Sequence, residues 1–151
     1  MTKAREIVSA VVARLRSASL PVDAIYDTRI LEAPEKVAKY IVVGEEAERV
    51  EQPAGQILTP LKITTGVLVT LVSRGRDATE TGAGAGSALA ALDALQEAVE
   101  AELVKKWDTL DGILDERMTY TGASVSAAAD GDDAALVRSL RFDAVWYREV
   151  E

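Results

Sequence analysis

Four clusters in this sequence hold residue types that do chemistry. Gly82-Ala83-Gly84-Ala85-Gly86 follows a β-type run and precedes a helical one, where a phosphate-binding loop would sit. Its spacing is G-x-G-x-G, no Gly-Lys-Ser/Thr follows, and the connection from Arg74 to Gly86 is too long for a tight turn. The run therefore reads as a flexible loop entering a helix at Ser87. Asp130-Gly131-Asp132-Asp133 suggests calcium, but an EF-hand starting at Asp130 needs glutamate where Arg141 stands. It reads as a solvated hairpin tip. Glu45, Glu46, Glu48 and Glu51 would suit paired-carboxylate catalysis only if one were buried and shifted in pKa. Between Gly44 and the breakers Pro53 and Gly55, so dense a charge run reads as a solvated loop. Arg74 and Arg76, flanking Gly75, read as loop-entry charges or as contacts for an acidic partner. No catalytic, cofactor-binding or metal-ligating residue is assigned. The residues expected at a partner interface are Glu45, Glu46, Glu48, Arg49, Arg74, Arg76 and Asp77.

Composition narrows the chemistry further. The chain has 151 residues, with 17 Lys+Arg, 25 Asp+Glu, and neither cysteine nor histidine. That removes thiol nucleophiles, Ser-His-Asp triads, imidazole bases and the usual Cys/His zinc sites. A net charge of −8 disfavours the phosphate backbone of nucleic acids, whose binding needs clustered cations. Hydrophobic residues make up 48%, yet 25 are alanine and one is phenylalanine, so the core must be built from Val, Leu and Ile. The apolar run from Ala10 to Ala13 is too short for a signal peptide, and no stretch reaches the roughly 20 apolar residues of a membrane span. A chain this long suits one domain, 1–151, folded, soluble and intracellular.

The elements that must carry these clusters can be read from periodicity. Ile7, Val8, Val11, Val12 and Leu15 form one helical stripe, with Thr2 as N-cap and a stop before Leu20-Pro21. Ile25-Tyr26 starts a short strand, and Val37 to Val43 forms another that ends at Gly44. Ile63 to Val72 is apolar on both faces, which predicts a central position or a partner chain against it. A second helix runs from Ser87 to about Trp107, with Leu89, Leu92, Leu95, Val99 and Leu103 on its apolar face. After a turn at Asp111-Gly112, Met118 to Val125 and Leu136 to Val150 form two strands joined by a loop over Ser126–Ala135. In the last strand Leu140, Phe142, Ala144 and Trp146 alternate with Arg141, Asp143, Val145 and Tyr147, so Phe142 and Trp146 belong to the core. Val145 and Tyr147 mark a second apolar face that needs a cover. The order α-β-β-β-α-β-β predicts an α+β fold: an antiparallel or mixed sheet of about five strands, with two helices packed on one face.

This arrangement resembles the tail terminator proteins of long-tailed bacteriophages and related tail-like particles (minor tail protein U-like, or tail completion, proteins). The likeness rests on the opening helix Ile7–Leu15, the strand Tyr40-Ile41-Val42-Val43 with its acidic sequel and the central strand Thr65–Ser73. The Ala/Leu helix Leu89–Leu103 and the closing strand Leu140–Tyr147 complete it. The resemblance implies a non-enzymatic virion tail protein, assembled in the host cytoplasm, with no cofactor and no membrane partner. Such proteins form a ring, typically a hexamer, at the head-proximal end of the tail tube. The ring stops tube polymerisation and offers a docking surface to head–tail connector and neck proteins. DNA passes through its channel without specific binding, and acidic walls would repel the phosphates. Three other readings stay open: a head–tail connector or neck protein of the same particle, a small-molecule or nucleotide-binding α+β domain using the glycine run, and an unrelated soluble homodimer.

Overall fold

The computed structural model describes residues 2–27, 39–51, 60–74, 81–105, 109–130 and 133–148. Helix α1 spans Lys3–Ser17 and leads into β1, Ala24–Asp27, then β2, Lys39–Glu51, and β3, Leu61–Arg74. Helix α2 covers Thr81–Glu100 and continues into a π-helical turn, Ala101–Lys105; β4, Thr119–Asp130, and β5, Asp133–Arg148, follow. The five strands form one mixed sheet in the order β1-β2-β3-β5-β4. β1 pairs parallel to β2 and every other pairing is antiparallel. The expected order and fold class are those observed, with the doubly apolar β3 at the centre of the sheet.

Both helices cover one face. Ile7, Val8, Val11 and Leu15 of α1 and Val99 and Leu103 of α2 join Ile41, Val43, Val67, Val69, Leu71, Leu140 and Phe142 in a single core. Register explains the shared face: Val69 stands opposite Val43 on one side and Leu140 on the other. Strand side chains alternate, so all three project toward the helices. Thr2 caps α1 as expected, its hydroxyl accepting the Arg5 N–H at 3.3 Å. Two N–H groups of Arg16 donate to the Ile25 carbonyl, at 3.2 and 2.7 Å, and tie α1 to β1. At the other end of the sheet Arg138 Nη1 donates to Asp93 Oδ1 at 2.6 Å and Gln96 Oε1 at 3.0 Å, binding α2 to β5.

The structure corrects four expectations. The acidic stretch is no loop, because β2 continues through it to Glu51, paired with β3 as far as Lys62. Charge there is tolerated because β1 pairs with Tyr40 to Val43 and, among the described residues, leaves the rest of β2 at the sheet margin. The glycine run is helical from Thr81, since alternating alanines and the Ala/Leu-rich sequence after them extend a helix that glycine weakens without breaking. The expected Ser126–Ala135 loop is mostly strand, with Asp130 paired to Asp133. Its Ser/Ala residues carry no turn chemistry, whereas Asp130-Gly131 does. Leu89, placed on the buried face of α2, is 40% exposed, while Leu92, Leu95, Val99 and Leu103 are buried. The turn at Asp111-Gly112 is present, built from three successive left-handed residues: Leu110, Asp111 and Gly112 at φ 52°, 56° and 89°. Glycine takes that conformation freely, and the buried side chain of Leu110 anchors the costlier pair.

Candidate functional site

The sheet face turned away from the helices has two characters. Near β1 it is apolar: Tyr40 and Val72 are buried against Ala24, Tyr26, Val42 and Val137, and the rings of Tyr26 and Tyr40 meet edge-on at 6.1 Å. Toward the far end of β2 it becomes charged. A cleft of about 230 Å³ opens there, with Glu46, Arg49, Arg141 and Asp143 among its lining.

A bulge builds this cleft. Glu45 pairs with Val67 and Glu48 with Thr65, so Glu46 and Ala47 together face Gly66. A Cβ on Gly66 would lie 3.1 Å from the Cβ of Glu46, a close approach that glycine permits. The extra residue turns Glu48 toward the helix side of the sheet. There the buried Thr65 hydroxyl donates to Glu48 Oε1 at 3.5 Å and accepts from Trp146 Nε1 at 3.0 Å. Glu46 stays on the other face and pairs with Arg141 of β5. Arg49 Nε lies 3.4 Å from Glu51 Oε1 on the same strand. Both ion pairs are partly solvated, worth about 0–1 kcal/mol each.

Glu45, Glu46, Glu48 and Arg49 therefore gather on one half of β2. Arg74 does not join them: it ends β3, whose opposite end lies beside that half of β2. Arg76 and Asp77 lie outside the described residues. Sequence reasoning missed Arg141 as the partner of Glu46. Its place on the polar alternation of β5 marked it as outward-facing, but only the sheet register brings it to Glu46, 95 residues away in sequence.

Beyond the cleft, Tyr147, near the end of β5, is 43% exposed. Its hydroxyl donates to Glu116 Oε2 at 3.1 Å, and its backbone N–H donates to Asp115 Oδ2 at 2.7 Å. The hydrogen bond to Glu116 raises the pKa of the phenol above its ordinary 10.0, since ionising it would set two anions together. Trp146, on the core side, is half-buried with Lys3 Nζ 5.9 Å from its ring centre. Among the described residues no group of three or more acidic side chains is placed to hold a metal ion, and no helix is long and apolar enough to cross a membrane. What the cleft offers is a set of solvated charges of both signs on a rigid sheet, suited to matching the polar rim of another protein surface.

A chain from the virion of a native gene transfer agent particle has the same fold. It superposes at a TM-score of 0.57, with 18% identity, covering 93% of this chain and 94% of its own length. A second solved chain, at 19% identity, covers 97% of this one and 94% of itself with a TM-score of 0.42. No protein-family model matches the chain, and no curated protein does. The virion likeness is one of backbone path rather than sequence. It runs over most of the length of both chains.

Proposed function

We propose that this chain is a structural, non-enzymatic component of a phage-like virion. In the finer reading it forms a ring, of six subunits, that caps the head-proximal end of a tail tube and stops its growth. The observation that carries the coarse reading is the likeness of fold to a gene transfer agent virion chain over 93% of this chain and 94% of that one. The finer reading draws support from the resemblance to tail terminators and from the charged margin of the sheet. In that ring, Glu45, Glu46, Glu48 and Arg49 meet one partner surface, and Arg74, Arg76 and Asp77 meet another. Arg74 ends β3 on the side away from Glu45–Arg49, which supports two separate contacts.

The test is co-expression with the tail tube protein of the same particle. Tubes of defined length, ending in a density of about six 16.1 kDa subunits, are the expected outcome. Tubes of unrestricted length would sink the terminator role. Capture of portal-side neck proteins without any effect on tube length would move the role to a connector of the same particle.

A further inference from the structure

Three margins of the sheet differ in how they are guarded. β1 is four residues long and its Ile25 carbonyl is taken by Arg16. The outer half of β2 carries Glu45, Glu46, Glu48, Arg49 and Glu51 together with a bulge. Charges, bulges and short length are the devices that stop a strand edge from pairing with another chain. β4, the last strand of the sheet, lacks most of them. It spans 12 residues, Thr-Tyr-Thr-Gly-Ala-Ser-Val-Ser-Ala-Ala-Ala-Asp, with no Lys, Arg or Pro and its one acid at the end. Its irregularity is confined to the start, between Tyr120 and Gly122; from there to Asp130 it pairs residue for residue with β5 and leaves its other edge unpaired among the described residues. At the middle of this stretch Val125 is 59% exposed.

The sequence of the edge is also nearly the same read in either direction from Val125: Ser124 and Ser126 flank it, then Ala123 and Ala127, then Gly122 and Ala128. Antiparallel pairing about a two-fold axis at Val125 sets each residue opposite its like. Ser124 meets Ser126 of the second copy, Ala123 meets Ala127, and Val125 meets itself. No like charges are opposed, and small residues let the strands approach without a clash. We propose that β4 is a self-pairing edge: two copies of this chain join β4 to β4 into one continuous sheet, an isologous contact closed at two subunits. The two-fold axis stands perpendicular to the sheet, so both helix layers lie on the same side. This inference does not rest on the virion reading. A ring uses head-to-tail contacts, and the β4 pair belongs to the free protein.

The absence of cysteine makes the test clean. Directly opposed Cα atoms in an antiparallel pair are roughly 4.5–5.5 Å apart, inside the roughly 4.4–6.8 Å that a disulfide spans. Val125→Cys alone, oxidised mildly and run on a non-reducing gel, is expected to give a covalent species of twice 16.1 kDa. Ala127→Cys alone is expected to stay monomeric, because the two 127 positions would lie roughly 13 Å apart along the strands. Mixing Ala123→Cys with Ala127→Cys is expected to restore the covalent dimer. Val125→Cys protein no more cross-linked than Ala127→Cys overturns the proposal. So does Val125→Cys protein that couples to Glu48→Cys protein but not to itself, which would instead make the contact a head-to-tail join of β4 to β2. Val125 is largely exposed, so the Val125→Cys variant is expected to fold. Tube-length control is read in a separate experiment, so the failure of one idea is not the failure of the other.

Discussion

Thr65 is fully buried, yet its hydroxyl holds the Trp146 indole N–H at 3.0 Å and reaches Glu48 at 3.5 Å. Thr65→Val keeps the shape and removes the acceptor, leaving the indole N–H unpaired. The expected cost is about 1–2 kcal/mol in urea unfolding, with Thr65→Ser much closer to the parent. Equal stability of the Val and Ser variants would show that the hydroxyl contributes nothing. Tyr147 gives a titratable prediction. Its folded-state pKa is raised chiefly by the hydrogen bond to Glu116, so the stabilisation from this contact is complete below the ordinary tyrosine pKa and is lost as pH rises through the raised one. Glu116→Gln is expected to lower the Tyr147 pKa toward 10.0, read as the pH midpoint of its ring carbon shift by NMR; a midpoint that stays put would contradict the assignment. At this scale the sequence was legible where alternation alone decides. Leu140, Phe142 and Ala144 are buried, as their spacing in the last strand requires. Contacts that need a register between distant strands, such as Arg141 to Glu46 or Trp146 to Thr65, leave no trace in local spacing.

Elements were legible in type and less so in extent. Both helices and all five strands are where periodicity puts them, but three stretches expected as loops belong to helix or strand. The charged half of β2 lacks apolar alternation because, among the described residues, only β3 flanks it there, so its strand character lies in its neighbour rather than itself. The Ser/Ala stretch of β4 is a strand for the same reason, held by β5. The glycine run shows the reverse case, in which propensity argued for a loop and a strong helical sequel extended through it. Gly84→Ala tests that boundary. In a helix alanine is favoured over glycine by about 0.5–1 kcal/mol, so helical CD signal and Tm are both expected to rise. A fall in Tm would mean that the backbone at this position needs glycine. Gly66→Ala tests the bulge in the opposite direction. Its Cβ would crowd Glu46 at 3.1 Å, with an expected loss of about 1 kcal/mol and a weakened Glu46–Arg141 pair.

For the molecule as a whole, the fold class and element order could be read from sequence, while the arrangement of sheet edges could not, because strand order is a property of the assembled sheet. That order has a further consequence for how the protein is made. β5 is synthesised after β3 and β4 yet lies between them, paired with β3 from Ala135 to Arg148 and with β4 from Asp133 to Asp143. Thr70 and Ser139, whose hydroxyls meet across the β3–β5 ladder at 3.3 Å, are 69 residues apart. Until β5 is available, β3 has no partner on that side and β4 has no place in any sheet. The first three strands and α1 can associate during translation, but the core cannot close around Phe142 before that residue exists. Such long-range pairing is slow relative to local structure. A nascent chain stalled after Asp130 is therefore expected to be digested readily by protease, and one that includes Arg148 to resist. The ribosome delivers the keystone of this sheet last.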